Sequence, residues 1–367
     1  MTAMDFLQGA LGLIAALAVL GGASAAWLTY RHRISALADE RHVAVTSDGW
    51  LISLYRYLPR SKGPGSGPVL LCHGLIANRA NLDLDEKRSL ARHLASAGFD
   101  AWLVELRGRG QSRDSDGSRG LGRITFDDYV DQDIPAAVDT VLKETGYERL
   151  QWVGHSMGGM LLYAHLSSRE DPAIASAVTV GSPIDFGVIA HEAKHMLGLR
   201  PLLRLRWVPL GYLLRALLPL IALSRRAVLR LGLVPENVSA TELKEILVNI
   251  IEGFAPAGVL EQFGNWVEEG VFRSRDGRRD YDSLANLGCP LLVIAAESDY
   301  VAPPDSVRPA SESAPTGEKV YRLFGKQAGD DREYGHNDIV LSDAARENVF
   351  PVITDWLVKH APSTPES

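Results

Sequence analysis

A serine flanked by glycines is the residue of this chain best placed for covalent chemistry. Residues 154–158 read Gly-His-Ser-Met-Gly, after the apolar run 150–153 and before the small-residue helical pattern 159–164. A strand, a sharp turn and a helix in that order would hold Ser156 on strained backbone with its hydroxyl exposed. The helix N-terminus would favour developing negative charge there, and the glycines allow the close backbone approach. We therefore predict that Ser156 is a nucleophile.

The serine needs a histidine that takes its proton and an acid that orients the histidine, because a hydroxyl is a poor nucleophile at neutral pH. For a serine on a strand–turn–helix, the expected chain order is serine, acid, histidine, and the acid should follow a late strand. The apolar pattern 291–296 predicts such a strand, and Glu297, Ser298 and Asp299 follow it. Asp299 is the predicted acid, and Glu297 is the alternative, otherwise expected in the turn.

The base should lie on a loop before the last helix of the chain. Residues 334–338 read Tyr-Gly-His-Asn-Asp and form that loop, and residues 349–358 are the predicted last helix, with Pro351 in its first turn. His336 is the only histidine between Asp299 and this helix. We therefore predict that His336 is the base.

Acyl transfer also needs N–H donors for the oxyanion of the tetrahedral intermediate. One donor is the backbone N–H after the nucleophile, which belongs to Met157. The other should come from the loop after an early strand, where His73, Gly74 and Leu75 follow the apolar run 69–72. The predicted oxyanion donors are Leu75 and Met157. His73 is expected to hydrogen-bond within its loop.

The elements that must position these residues alternate between strand and helix. The predicted strands are a β-hairpin within 43–58 and single strands at 69–72, 101–104, 150–153 and 177–180. The predicted helices are one at about 82–97 and one that Thr125 caps, with Asp128 as the capping-box acid, and that reaches residues 145–146. Such alternation predicts an α/β fold with a mostly parallel, doubly wound sheet.

The alternation stops at about residue 187 and resumes at 290. The hundred residues between are helical in pattern, and five prolines are expected to cut these helices short. Between Glu192 and Glu236 the formal charge is +8, which leaves −15 for the rest of a chain whose total is −7. The predicted organisation is a membrane anchor (1–33), an α/β core in two parts (40–186 and 285–360), an inserted helical cap or lid (187–284) and a disordered tail (361–367).

The N-terminal segment predicts a single transmembrane helix. Residues 6–30 carry no charge and would span roughly 37 Å as a helix. A cleaved signal peptide is the alternative, because residues 23–25 resemble a cleavage site, but such a peptide needs a basic start and only Asp5 is charged there. The basic residues 31–33 follow the segment, so the positive-inside rule places the catalytic domain in the cytoplasm.

Composition excludes other classes of protein. Only Cys72 and Cys289 are present, which argues against a disulfide scaffold, and both are expected to be buried free thiols. The net charge of −7 gives no support for nucleic-acid binding. No cofactor motif or metal-ligand set is evident, so no cofactor and no metal are predicted. The sequence leaves the oligomeric state and the substrate-binding residues open.

These motifs resemble those of a known superfamily from about residue 40 to 360, apart from the insertion. His73-Gly74-Leu75, residues 154–158, Asp299 and Gly335-His336 resemble α/β-hydrolase lipases and esterases. The stretch EYGHNDIVLSDAARENVFPVITDWL is similar to the histidine loop of acid lipases. The resemblance implies an α/β-hydrolase fold and hydrolysis of a hydrophobic ester.

Longer stretches resemble polyhydroxyalkanoate synthases. These are GLIANRANLDLDEKRSLARHLASAGFDAWLVELRG with TFDDYVDQDI, VTVGSPIDF and CPLLVIAAESDYVAPP. In that family a cysteine holds the growing acyl chain as a thioester, whereas this chain has Ser156. The serine favours a hydrolase acting on lipophilic esters, with an acyltransferase related to these synthases as the alternative. The Leu-rich, Arg-studded insertion is expected either to contact membrane lipid or to form an ordinary lid.

Overall fold

The chain forms a central β-sheet with helices on both faces. The computed structural model describes residues 21–35, 37–61, 67–117, 120–167, 171–193 and 207–364. The strands are β1 Glu40–Val45, β2 Trp50–Tyr57, β3 Pro68–Cys72, β4 Asp100–Glu105, β5 Arg113–Asp114, β6 Leu150–His155, β7 Ile174–Val180, β8 Trp207–Val208, β9 Ala255–Pro256, β10 Leu291–Ala296 and β11 Lys319–Phe324.

The main sheet has the strand order β1-β2-β4-β3-β6-β7-β10-β11, with the short β5 paired to β2. The pairs β1–β2 and β2–β4 are antiparallel, and every pair from β4 to β11 is parallel. The predicted mostly parallel sheet is confirmed. Strands β3, β6, β7 and β10 are buried along their whole length, which is why they appear in the sequence as continuous apolar runs. Their carboxyl ends meet at one edge, where loops of such sheets carry functional residues.

The helices flank this sheet and build the insertion. They are α1 at residues 21–32, α2 Leu90–Ser96, α3 Phe126–Asp128, α4 Ile134–Thr145, α5 Met157–Ser167, α6 Phe186–Ala193, α7 Leu210–Ile221, α8 Arg225–Arg230, α9 Ala240–Asn249, α10 Ala257–Glu269, α11 Pro304–Val307, α12 Pro309–Ser313, α13 Asp338–Leu341 and α14 Asp343–Lys359. Helices α7 to α10, with the two-stranded β8–β9 ribbon, lie between β7 and β10 in the chain.

Two apolar layers pack against the two faces of the sheet. One contains Trp102, Trp152 and Phe126, and the other contains Leu71 and Phe350. An aromatic cluster in the first layer joins the insertion to the core. Within it, the rings of Phe126 and Trp266 lie edge to face with centroids 5.0 Å apart. The base of the insertion is therefore fixed to the sheet by apolar burial. Both cysteines are free and buried, as predicted.

Local signals determine several helix ends. The capping box of Thr125 and Asp128 is confirmed, and α4 ends at Gly146, which has a φ of 73° that suits glycine. The predicted start of the next upstream helix at residue 82 was wrong. Helix α2 begins after Ser89, whose hydroxyl accepts the Arg92 N–H. The residues before Ser89 form a turn instead, because the Asp85 side chain accepts the backbone N–H groups of Lys87 and Arg88.

Prolines end fewer helices than predicted. Pro209 and Pro256 precede α7 and α10, whereas Pro219 lies inside α7, two residues before its end. The last helix was predicted to begin at 349, but α14 begins at Asp343, where the Ser342 hydroxyl caps it. Pro351 is therefore inside this helix and not in its first turn. Edge strand β11 is not apparent from the sequence, because its residues are mostly exposed or half-buried and carry no apolar run.

The N-terminal helix α1 packs against the insertion. Leu28 is buried, and Asn249 accepts the Ile34 N–H and donates to the His32 carbonyl. Most of the predicted transmembrane segment, residues 6–20, lies outside the described residues. Across the part of the chain that the structure describes, no helix combines the length and the apolar character needed to span a bilayer. Residues 365–367 of the predicted tail also lie outside the described residues.

Candidate active site

Ser156 occupies a strained turn between β6 and α5. Its φ is 53°, in the left-handed region that a non-glycine residue seldom adopts. Its N–H donates to the carbonyl of Val180 at 2.8 Å, which fastens the turn to β7. The predicted strand, sharp turn and helix are confirmed. A Cβ on Gly154 would lie 2.4 Å from the carbonyl carbon of Gly158, so β6 and α5 touch at these glycines.

We expect Gly158→Ala to destabilise the fold strongly. A Cβ at this position would lie 2.2 Å from the carbonyl oxygen of Cys72, and a backbone atom of a central strand cannot move aside cheaply. The free energy of unfolding should fall by about 3 kcal/mol or more, measured by urea denaturation. The control is Gly288→Ala, since a Cβ on Gly288 meets no atom within 4 Å. Equal denaturation midpoints for the two variants would contradict the expected clash.

The predicted base and acid lie beside Ser156. His336 Nε2 is 2.8 Å from Ser156 Oγ, and His336 Nδ1 is 2.7 Å from Asp299 Oδ2. The other carboxylate oxygen of Asp299 accepts the N–H groups of Val301 and Ala302, each at 2.8 Å. Because a carboxylate accepts only, Nδ1 carries the proton of a neutral His336, and Nε2 is free to accept the serine proton.

Glu297, the alternative acid, contacts a different loop. Its Oε2 accepts the N–H of Gln327 at 2.9 Å, in the turn after β11. The structure therefore brings Asp299, and not Glu297, to His336. Both carboxylates follow β10, and Ser298, the single residue between them, donates its N–H to the carbonyl of Tyr334 in the histidine loop at 3.0 Å.

The predicted oxyanion donors are Leu75, on the loop after β3, and Met157, the first residue of α5 directly after Ser156. The N–H groups of Leu75 and Met157 have no acceptor among the described residues. A Cβ on Gly74 would lie 3.2 Å from the Ser156 Cβ, so the loop after β3 passes directly over the serine. Ile76 has a φ of 55°, a second strained residue beside the predicted donor that no sequence signal indicated.

His73 fulfils the structural role predicted for it. Its Nδ1 donates to the carbonyl of Gly74 at 2.9 Å, and its Nε2 accepts the N–H of Leu106 at 3.3 Å. Burial lowers the pKa of His73 to about 4, so the ring stays neutral at neutral pH. The two contacts use the one donor and one acceptor of a neutral imidazole.

A segment of the insertion holds the histidine loop, which sequence reasoning missed. The N–H of Asn337 donates to the carbonyl of Gly232 at 2.6 Å, and a Cβ on Gly232 would lie 2.4 Å from the His336 Cβ. The carboxylate of Asp338 accepts the Val234 N–H at 2.8 Å and the Asn237 side chain at 2.6 Å. The available signal was Gly232 itself, whose φ of 72° at a close approach suits only glycine.

Asp338 should make stability depend on pH. Burial raises the pKa of its carboxyl group from 3.8 to about 6. A carboxyl group whose pKa is higher in the folded state than in the unfolded chain stabilises the folded state at pH values below the unfolded pKa. This stabilisation is lost as the pH rises through the folded pKa of about 6. The free energy of unfolding of the wild type, relative to Asp338→Asn, should therefore fall between about pH 4 and pH 7.

Urea denaturation at several pH values measures this difference. The control is Asp343→Asn, because Asp343 is exposed on the next helix. A difference between wild type and Asp338→Asn that stays constant over this pH range would refute a raised pKa for Asp338.

A cavity of about 1420 Å³ lies between α1, α7 and the segment 78–84. Ser156 and His336 do not line it, so this cavity is separate from the serine site. Among the residues that the structure describes, no three His, Cys, Asp or Glu side chains are placed to share a metal ion.

The mostly parallel sheet carries Ser156, His336 and Asp299, joined by hydrogen bonds, at the carboxyl ends of its strands. The fold and these residues define an α/β protein with a serine-centred site. The chain belongs to the α/β hydrolase fold family, whose model matches residues 67–327, more than half of the chain.

Curated relatives include lipases. Gastric triacylglycerol lipase of Mus musculus is 36% identical over 150 residues, which are 38% of this chain and 37% of that lipase. The chain thus spans less than half the length of these curated relatives.

Solved structures of other proteins share the fold, as two examples show. A putative aryl esterase from Burkholderia cenocepacia matches with a TM-score of 0.57 at 17% identity, over 88% of this chain and 99% of that one. A soluble variant of monoglyceride lipase from Saccharomyces cerevisiae matches with a TM-score of 0.57 at 18% identity, over 90% of this chain and 98% of that one. At such identities the likeness establishes the fold alone.

Proposed function

We propose that this protein is a serine hydrolase that cleaves hydrophobic carboxylic esters through an acyl-enzyme on Ser156. One observation carries the proposal: a continuous chain of hydrogen bonds runs from Ser156 Oγ through His336 to Asp299. It starts at a strained turn whose neighbouring N–H groups, on Leu75 and Met157, have no acceptor among the described residues. This arrangement suits attack on a carbonyl carbon and stabilisation of the resulting oxyanion.

The reaction has two halves. Ser156 Oγ attacks the ester carbonyl while its proton passes to His336 Nε2, and the Leu75 and Met157 N–H groups bind the oxyanion. The intermediate collapses, the C–O bond breaks, and His336 returns the proton to the departing alcohol. Water then attacks the acyl-serine with His336 again as base, which releases the acid and restores Ser156. Asp299 holds His336 in the required tautomer throughout.

Lipophilic esters are the proposed substrate class. The sequence similarity to gastric triacylglycerol lipase supports a lipid ester. So does helix α7, whose residues Leu213, Leu217 and Leu220 stay exposed on the surface of the insertion. Exposed leucines in a row offer an apolar surface to a water-insoluble substrate.

A fluorophosphonate probe and an ester series test this proposal together. The probe should label wild-type protein at Ser156, identified by mass spectrometry of the modified peptide. With p-nitrophenyl esters of increasing acyl length, kcat/KM should rise from acetate to medium or long chains, with and without detergent. Absence of labelling would refute the serine mechanism, and a preference for acetate alone would refute the lipophilic substrate.

The acyltransferase alternative rests on the stretches that resemble polyhydroxyalkanoate synthases. The two reactions share the acyl-serine and differ in the group that accepts the acyl chain, which is water or a hydroxyl group. Incubation with a hydroxyacyl-CoA separates them. Free hydroxy acid would support hydrolysis, and polymer would support the transferase.

The protein is further proposed to be anchored in the cell membrane by residues 1–33, with its catalytic domain in the cytoplasm. Residues 6–30 are uncharged, and basic residues follow them. Helix α1 lies against α7, since a Cβ on Gly21 would be 3.4 Å from the Ala216 Cβ. Exposed apolar side chains on α1 and around α7 therefore lie on neighbouring helices; they include Trp27, Tyr30, Leu217, Leu220 and Leu223.

Flotation with lipid vesicles tests the anchor. The full chain should float with vesicles, whereas a chain lacking residues 1–20 should bind less, and only when the vesicles contain anionic lipid. This truncation removes none of residues 21–32, which form α1, so Leu28 keeps its place in the apolar core. Equal flotation of both chains would count against the anchor. Protection of the domain from protease added outside intact cells would support the cytoplasmic side.

A further inference from the structure

The ring of His155 lies between the loops that form the proposed catalytic site. It is 2% exposed and directly precedes Ser156. Its Nε2 is 2.8 Å from the carbonyl oxygen of His336, and its Nδ1 is 2.9 Å from Oδ1 of Asn81. His155 therefore contacts the backbone of the proposed base from the residue next to the proposed nucleophile.

Asn81 extends this contact to the oxyanion loop. Its side chain is 1% exposed, and its Oδ1 accepts the N–H of Gly74 at 3.0 Å. Gly74 immediately precedes Leu75, whose N–H is a proposed oxyanion donor. Two buried side chains that touch each other thus each bond one loop: Asn81 bonds the oxyanion loop and His155 bonds the histidine loop. Neither is hydrogen-bonded to Ser156 Oγ.

The protonation of His155 decides whether its Nδ1 can donate a hydrogen bond to Asn81. The His336 carbonyl only accepts, so Nε2 of His155 carries the proton. Burial lowers the pKa of His155 to about 3, so the ring is neutral and its Nδ1 is an acceptor. The same atom of Asn81 therefore faces a donor, the Gly74 N–H, and an acceptor, Nδ1. Nδ2 of Asn81 is also buried, with no hydrogen-bond partner in the part of the chain that the structure describes.

We propose that His155 and Asn81 are a positioning pair, which fixes the oxyanion loop and the His336 loop relative to Ser156. The inference rests on the proposed serine mechanism. The oxygen of Asn81 anchors the Gly74 N–H, and His155 anchors the His336 carbonyl. A shift of about 1 Å in either loop would misplace a donor or the base, which costs on the order of 100-fold in rate.

Two substitutions at Asn81 separate positioning from packing. Asn81→Leu keeps the branched shape and the number of side-chain heavy atoms but leaves the Gly74 N–H without an acceptor, so kcat should fall about 10- to 100-fold with KM little changed. Asn81→Asp restores that acceptor, and its carboxylate favours a second proton on His155, which then donates on both sides. Asn81→Asp should therefore recover kcat to within about fivefold of wild type.

The matched control is another buried histidine. His165 is also 2% exposed and lies near the C-terminal end of α5, away from Ser156. Its Nε2 is 2.7 Å from Asp171 Oδ2. His155→Leu should lower kcat about 10- to 100-fold, whereas His165→Leu should lower stability without changing the rate per folded molecule. The rate of Ser156 labelling by a fluorophosphonate, measured beside urea denaturation, gives a second readout that needs no known substrate.

Three results decide the matter. Loss of labelling rate in Asn81→Leu and His155→Leu, with recovery in Asn81→Asp, supports the positioning pair. Variants that lose only stability, with a wild-type labelling rate per folded molecule, overturn it, and so does a failure of Asn81→Asp to exceed Asn81→Leu. Failure of the serine mechanism itself would appear earlier, as no labelling of wild-type Ser156.

Discussion

Ser156→Ala should abolish labelling by a fluorophosphonate and lower kcat for ester hydrolysis by at least about 10⁴-fold. The substitution removes the only oxygen that lies within hydrogen-bond distance of His336 Nε2 among the described residues. Without that oxygen no acyl-enzyme forms, and only binding and the oxyanion donors remain. The fold should persist, because alanine is smaller than serine and the strained backbone is held by the Val180 carbonyl.

Ser182→Ala is the matched control for this prediction. Ser182 is a buried serine just beyond β7, and its hydroxyl donates to the Val180 carbonyl at 3.3 Å, away from His336. Labelling of this variant should equal that of wild type once both are corrected for the folded fraction. If Ser156→Ala kept more than about a tenth of wild-type kcat, a different nucleophile would have to be sought.

Asp299→Asn should lower kcat by about 10⁴-fold, with little change in KM. An amide next to His336 Nδ1 can present its own N–H, which stabilises the tautomer whose Nε2 carries a proton and cannot accept one from Ser156. The backbone N–H groups of Val301 and Ala302 would still bind the amide oxygen, so the loop should keep its shape. Steady-state kinetics with a p-nitrophenyl ester measure both constants.

Glu297→Gln provides the comparison within the same turn. Glu297 also follows β10, but its carboxylate accepts the Gln327 N–H at 2.9 Å instead of contacting His336. Its substitution should change kcat by less than about threefold, because an amide oxygen keeps that hydrogen bond. A larger loss of kcat in Glu297→Gln than in Asp299→Asn would make Glu297 the acid, contrary to the geometry.

Much of the architecture was predictable from local patterns. Fully buried parallel strands appear as apolar runs, so β3, β6 and β10 were located to within one or two residues. The wrong start predicted for helix α2 lies where side-chain hydrogen bonds hold the chain out of the helix that its sequence pattern indicates. The charged residues 83–89 resemble a helix, yet Asp83 is buried and bonded to Tyr57, Arg79 and Arg92, which keeps this stretch out of α2.

The sequence by itself determined the serine turn and the chain order of serine, aspartate and histidine. These features depend on the backbone within a few residues of Ser156, Asp299 and His336, where glycines, strands and loops follow one another. Only the tertiary structure decided which groups meet. It brought Asp299 and not Glu297 to His336, it placed Gly232 of the insertion against the histidine loop, and it joined His155 to partners 74 and 181 residues away. Contacts over such separations follow from how the sheet is assembled, and no local pattern encodes them.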